Sequence, residues 1–188
     1  MPVNERINAT SGTRIKPGGT RLITTGEIGL ARTLFSYGLR YNTVWIHRES
    51  YLPFNLQPTD IAMSPNGEMW FREDTYSHDF SMEVDVQKKH RFMHELMHVW
   101  QAQHGMFVRT RGLFSRFADY SYSYSLDKEN IRHYSLEQQA SLVSDYWLLQ
   151  AYGFKNYLYL PALRDYDHKE SDYTLLQKYK LVMKGFPQ

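Results

Sequence analysis

The chain has 188 residues, a net charge of +2, 42% hydrophobic residues and no cysteine. This length and composition suit one globular domain with a substantial core. The small net charge, without a long basic run, argues against a nucleic-acid partner. Because cysteine is absent, the chain forms no disulfide and offers no thiolate to a metal, which excludes a zinc ribbon.

The first 22 residues form a polar segment rich in glycine, threonine and arginine. This segment lacks the apolar core of a secretory signal peptide, so we expect the chain to be made in the cytoplasm without one. No apolar span of about 18 residues occurs in the sequence, so no membrane span is expected. We predict a flexible lead over residues 1–22 and a single domain over residues 23–188.

Helix and strand signals alternate in the first part of that domain. Thr25 and the apolar pattern after it predict a helix over residues 27–37. Residues 43–47 have the composition of a strand. An Asn-Gly pair between two short apolar runs predicts a hairpin over residues 60–71. These strands would form a small antiparallel or mixed sheet.

A long helix is predicted over residues 86–104, and it carries the motif His94-Glu95-Leu96-Met97-His98. Histidines four positions apart on a helix lie on one face, so both imidazoles can reach one metal ion. Glu95 would lie beside a metal-bound water, whose proton a carboxylate can accept. A solvated helix face is the alternative, but the apolar flanks of the motif argue against it. We therefore predict one zinc ion held by His94 and His98, with Glu95 as the general base.

A catalytic zinc ion takes three protein ligands, and two candidates exist for the third. His104 has the spacing of the metzincin signature, but Gln101 replaces the glycine at which that signature turns. Glu137 lies in the first turn of a helix that a capping box predicts over residues 136–152. This is the arrangement of gluzincins, although the helix dipole alone also favours a carboxylate there. Spacing favours Glu137 over His104.

Several other side chains are candidates for supporting roles. Tyr120, Tyr122 and Tyr124 alternate with serines, which indicates an extended segment with one aromatic face. One of these phenols, or His133, could donate a hydrogen bond to a developing oxyanion, and the alternative is that the aromatic face covers the core. Asp145 could orient a ligand histidine, and the alternative is a solvated or capping role.

A last helix is predicted over residues 172–184, where apolar residues recur at helical spacing. The overall prediction is an α+β, zincin-like metallopeptidase. Its small sheet packs on the active-site helix, and its C-terminal part is largely helical.

Six stretches carry a resemblance to a known family, from about residue 25 to about residue 150: 26–32, 41–47, 65–69, 92–105, 137–140 and 145–146. They resemble a group of bacterial zinc metallopeptidases that occur as Rhs- and VgrG-associated domains. Some of these are C-terminal effector domains delivered by type VI secretion. The resemblance implies His94, His98 and Glu137 as zinc ligands and Glu95 as the catalytic base.

The same resemblance implies a biological setting. It implies an antibacterial toxin secreted through the type VI system and active in the periplasm of the target cell. The expected partners are a protein or peptide substrate, a secretion-apparatus carrier and a cognate immunity protein.

Two other functions are compatible with the motif. The first is a DNA-associated protease of the SprT type, which the near-neutral charge and the lack of cysteine count against. The second is a catalytically inactive interaction module stabilised by zinc. Glu95 argues against this second function, because a structural site has no use for a base.

Overall fold

The computed structural model describes residues 6–7, 14–106 and 122–187. Within these ranges the chain forms four α-helices and a small sheet of four short strands. The helices are α1 (Thr25–Phe35), α2 (Val86–Gln103), α3 (Leu136–Tyr152) and α4 (Asp172–Val182), and the strands are β1 (Arg6–Ile7), β2 (Thr20–Leu22), β3 (Trp45–His47) and β4 (Met69–Trp70). The predicted α+β class is confirmed, and the zincin-like arrangement remains a prediction.

The sheet has the order β1-β2-β3-β4 and mixed topology. Strands β1 and β2 are parallel, β2 and β3 are antiparallel, and β3 and β4 are parallel. The predicted hairpin over residues 60–71 is reduced to one antiparallel bridge between Met63 and Trp70. Gly67 makes the turn with a φ of +81°, a conformation that glycine adopts readily. The other edge of β4 pairs with β3, so this turn is attached to the sheet.

Strand β2 lies inside residues 1–22, the segment that the sequence suggested as a lead. Its residue Arg21 is buried and forms an ion pair with the buried Glu27 of α1, with 2.7 Å between Arg21 Nη2 and Glu27 Oε1. Glu27 also accepts a hydrogen bond from the backbone N–H of Phe80. Residues 20–22 are therefore a strand of the folded domain, held to α1 by this buried pair.

Side-chain caps determine where the helices begin. Thr24, and not Thr25 as predicted, caps α1, because Glu27 stands three residues after it and closes a reciprocal capping box. Ser135 and Gln138 form the predicted capping box of α3, which spans the predicted residues 136–152. Helix α2 ends at Gln103, close to the predicted end.

The core lies where α2 and α3 pack against each other. The buried face of α2 contributes Phe92, Met93, Leu96, Met97, Val99 and Trp100, and α3 contributes Ala140, Leu142, Val143, Trp147 and Leu148. Because these two helices carry the candidate ligands, their packing determines the geometry of the site. Among the described residues, no helix is both long and apolar enough to cross a membrane.

Candidate metal centre

Three predicted ligands come together between α2 and α3. One ligand atom from each of His94, His98 and Glu137 lies within 4.8 Å of the other two. Glu137 Oε2 is 3.2 Å from His98 Nε2 and 3.5 Å from His94 Nε2. Two ligand atoms at about 2.0–2.1 Å from a tetrahedral zinc ion would themselves be roughly 3.4 Å apart. The spacing and the donor set of two imidazoles and one carboxylate therefore fit zinc.

The orientation of the His98 ring is set by Gln101. Gln101 Oε1 lies 2.8 Å from His98 Nδ1, so this nitrogen donates its hydrogen to the amide oxygen. In the neutral ring the lone pair is then on Nε2, the nitrogen that faces Glu137. His98 is thus held in the tautomer that a metal requires at this position.

Glu95 is buried beside the three ligands and is oriented by a serine from the turn before β4. The Ser64 hydroxyl donates to Glu95 Oε2 at 2.7 Å, and both side chains are almost completely buried. Ser64 follows Met63, whose bridge to Trp70 attaches the turn to the sheet. The sheet therefore fixes the direction of the Glu95 carboxylate.

The charges of the cluster shift the pKa values of two of its members in opposite directions. Burial lowers the pKa of His98, but the hydrogen bond and charge of Glu137, with a contribution from Glu95, raise it overall to about 9. Burial raises the pKa of Glu137, but its hydrogen bonds with His94 and His98 hold it well below its usual range. Without a metal, a proton on His98 therefore balances the Glu137 carboxylate.

Comparison with known proteins shows the family of the chain. No family model matches the sequence. The type VI secretion system spike protein VgrG2b of Pseudomonas aeruginosa strain PAO1 is 36% identical over 134 residues, which is 68% of this chain but only 13% of the spike protein. The solved effector domain of Pseudomonas aeruginosa VgrG2b superposes with a TM-score of 0.62 and 32% identity, covering 80% of this chain and 87% of that domain. The chain belongs to the family of the VgrG2b effector domain.

Membership of the VgrG2b effector-domain family supports the prediction of a type VI secretion effector. The chain corresponds to the effector part of VgrG2b and spans a small part of the whole spike protein.

The three predicted tyrosines have different positions. Tyr122 lies at the site, with its ring centroid 5.9 Å from that of His94. Burial raises the pKa of Tyr122 to about 12, with further contributions from Glu137 and Glu95, so its hydroxyl is protonated at neutral pH. Tyr124 is buried and hydrogen-bonds to Asp145 and Tyr179, which makes it part of the core. Tyr120 lies outside the described residues.

Asp145 and His133 are the remaining predicted residues of the site. Asp145 is completely buried and accepts from His90 Nε2 at 2.7 Å, from the Tyr124 hydroxyl and from a backbone N–H. It orients His90, one turn before His94, and so has neither the ligand-orienting role nor the solvated role that the sequence suggested. His133 is exposed in a 3₁₀ turn over residues 131–133.

His104, the alternative third ligand, is at the C-terminal end of α2. Its Nδ1 lies 2.8 Å from the Trp100 carbonyl, and its ring stacks on that of Trp100. The helix continues to Gln103 without the turn that would bring His104 back, and Gly105 with a φ of +75° follows it. The geometry therefore places Glu137, and not His104, beside the two histidines.

Sequence reasoning missed two residues of the site. Gln101 was interpreted only as an obstacle to the metzincin turn, although its position three residues after His98 places both side chains on one helix face. That spacing could have indicated the contact. Ser64 had no comparable signal, because only the fold brings it to Glu95 across 31 positions.

The raised pKa of His98 predicts how zinc affinity depends on pH. A metal binds the neutral imidazole, so zinc must displace the proton that His98 holds below pH 9. Raising the pH removes that competing proton. We expect the affinity to rise about tenfold per pH unit between roughly pH 7 and 9, and to level off above. Calorimetric titration in buffers of different ionisation enthalpy should show about one proton released per zinc at pH 7. Equal affinity at pH 7 and 9 would contradict this prediction.

Proposed function

We propose that this chain is a zinc-dependent endopeptidase, delivered by type VI secretion and active on proteins in the envelope of the target cell. The observation that supports the activity is the convergence of His94, His98 and Glu137 next to the buried carboxylate of Glu95. A structural zinc site has four protein ligands, whereas three ligands leave a position for water or substrate. The donor set of this site therefore suits catalysis.

Each residue of the site has a defined role in this proposal. His94, His98 and Glu137 would hold the metal, which when bound lowers the pKa of water and polarises a carbonyl group. Glu95 accepts the proton of the attacking water and passes it to the nitrogen of the leaving amine. Ser64 holds Oε2 of that carboxylate, so we assign the proton transfer to Oε1.

Tyr122 is the residue that we assign to the developing oxyanion. Its hydroxyl is protonated at neutral pH, and its ring lies against His94 at the edge of the cluster. A phenol placed there can donate a hydrogen bond that strengthens as negative charge develops on the substrate oxygen. Tyr124 cannot take this role, because its hydroxyl already bonds to Asp145 in the core.

Zinc-dependent cleavage of an unfolded protein is the direct test of the proposed activity. The chain should cleave a fluorescently labelled, unfolded protein, lose the activity when a chelator removes the metal, and regain it with one equivalent of zinc. The reason is that the three-ligand cluster needs the ion to activate water. Failure of the zinc-loaded chain to cleave unfolded proteins and mixed peptides would contradict the proposal.

The setting of the activity is proposed from the family. VgrG2b is named as a type VI secretion spike protein, and a spike protein is therefore the carrier that we propose for this chain. The family membership favours an effector over a DNA-tethered protease. A cognate immunity protein in the producing cell would follow from this setting.

Expression in two compartments tests the setting. We expect growth arrest of a susceptible bacterium when the chain carries an added periplasmic signal peptide, and normal growth when it stays in the cytoplasm. The reason is that the proposed substrates lie in the envelope. The exported Glu95→Gln variant serves as the control and should be harmless. Equal toxicity in the cytoplasm, or none in either compartment, would remove the periplasmic assignment and leave the zinc chemistry unaffected.

A further inference from the structure

Gln101 is a buried polar residue that connects the two ligand-bearing helices. It lies on α2, three residues after His98, and its side chain is completely buried. A buried amide is costly unless its hydrogen bonds are made. The side-chain hydrogen bonds of Gln101 reach a candidate ligand and the start of α3.

The direction of these hydrogen bonds is determined by backbone carbonyl groups, which can only accept. Gln101 Nε2 donates to the Leu136 carbonyl and to Gln139 Oε1, each at 3.0 Å. Gln139 Nε2 in turn donates to the Tyr134 carbonyl at 2.9 Å. Turning either amide over would place two oxygens against each other. The Gln101 oxygen must therefore face His98, and the order from Tyr134 to His98 is fixed.

The fixed order of these hydrogen bonds determines which ring nitrogen of His98 carries the hydrogen. Because Gln101 Oε1 accepts at 2.8 Å, His98 Nδ1 carries the hydrogen, and the lone pair of the neutral ring is on Nε2. His98 Nε2 is the atom that lies 3.2 Å from Glu137 Oε2. In the neutral ring, the two glutamines thus leave the lone pair of Nε2 directed at the metal position.

The same amide also positions the carboxylate ligand. Its acceptor, Leu136, directly precedes Glu137 in the first turn of α3. One side chain therefore bonds to a ligand on α2 and to the peptide next to the ligand on α3. Such a double contact restricts both the ring orientation and the separation of the helices at the site.

We propose that Gln101, supported by Gln139, is a positioning residue that sets the tautomer of His98 and the placement of Glu137 for metal binding. The proposal rests on the proposed function, since it concerns the same site. Groups that hydrogen-bond to metal ligands typically change metal affinity by about 10- to 100-fold. In this chain a neutral amide pair fills that role.

Two substitutions separate the effect of Gln101 on the His98 tautomer from its effect on the placement of Glu137. Gln101→Leu removes both the acceptor and the donor and should weaken zinc binding by about 10- to 100-fold. Gln101→Glu keeps an acceptor for His98 Nδ1 but has no N–H for Leu136 and Gln139. We expect it to retain the Nδ1–H tautomer and to bind zinc with an affinity between those of Gln101→Leu and the unmodified chain.

Gln103→Leu is the matched control. Gln103 is the same residue type on the same helix, and its amide bonds to Arg40 and Thr43, neither of which is a candidate ligand. Its replacement should leave zinc affinity and the His98 tautomer unchanged. Thermal unfolding of each metal-free variant shows whether the variant is folded.

The measurements are zinc affinity, by competition with a coloured chelator, and the histidine tautomers, by nitrogen-15 NMR of the zinc-loaded chain. We expect the His98 Nδ1–H signal to persist in Gln101→Glu and in the control, and to shift or exchange rapidly in Gln101→Leu. If Gln101→Leu does not fold, the zinc affinities of Gln101→Glu and Gln139→Met are compared with that of Gln103→Leu instead. If the Gln101 variants bind zinc as tightly as Gln103→Leu does, the inference is overturned and the proposed function stands. If the unmodified chain binds no zinc, the proposed function is overturned as well.

Discussion

Glu95→Gln is expected to reduce the proposed peptidase activity by at least about 100-fold, the lower range for a positioned acid–base group. This factor corresponds to roughly 2.7 kcal/mol of transition-state stabilisation. The amide has the shape of the carboxylate and can still accept the hydrogen bond from Ser64. It cannot accept a proton from water at neutral pH. The variant should therefore bind zinc as the unmodified chain does while hydrolysis is lost.

Steady-state cleavage of a labelled unfolded protein, together with zinc content by elemental analysis, checks this expectation. Glu129→Gln changes an exposed glutamate in the same way and should leave both quantities unchanged. Full peptidase activity in Glu95→Gln would remove Glu95 as the base. Toxicity that survives the loss of hydrolysis would instead favour an interaction module stabilised by zinc.

Removal of a proposed metal ligand is expected to have the largest effect on zinc binding. His98→Ala and Glu137→Ala each remove one of three ligand atoms that lie within 4.8 Å of one another. Structural zinc sites in zinc-finger peptides reach apparent binding free energies of about 10–16 kcal/mol, and a third of this is roughly 3–5 kcal/mol. We therefore expect zinc affinity to fall by at least about 100-fold in each variant.

His104→Ala is the control for the ligand variants, because His104 stacks on Trp100 at the end of α2. Competition with a chelator of known affinity should give the same zinc dissociation constant for His104→Ala and for the unmodified chain. The ligand assignment would be reversed if Glu137→Ala kept its zinc while His104→Ala lost it.

Local sequence patterns predicted the elements that carry the site. The capping box at Ser135 and the helical spacing after it predicted α3 over the residues it occupies. The helix predicted over residues 86–104 ends one residue earlier in the structure, at Gln103, and Gly105 follows it as the sequence suggested. Such signals depend only on residues a few positions apart, so a sequence contains them directly.

Other elements differ from their predictions because contacts with residues distant in the sequence determine them. The predicted hairpin over residues 60–71 is a single bridge, since one edge of β4 pairs with β3 and Ser64 turns toward Glu95. The strand at residues 20–22 was not predicted, because its stability comes from β3 and from the buried pair of Arg21 with Glu27. No local sequence pattern indicates either contact.

The candidate metal centre also combines features that local sequence determines with features that packing determines. The sequence by itself determined that His94 and His98 share one face of a helix with Glu95 beside them, because helical periodicity fixes those directions. It favoured Glu137 as a third ligand through the position of a capped helix. Only the tertiary structure decided that Glu137 lies 3.2 Å from His98.

Tertiary packing also selected the supporting residues. Among the predicted tyrosines it placed Tyr122 at the cluster and Tyr124 in the core, and it directed Asp145 to His90. The physical reason is that an element's period determines which side chains share a face, whereas the packing of α2 against α3 determines which faces meet. That packing arises from apolar burial, which has no direction of its own and acts between residues far apart in the chain.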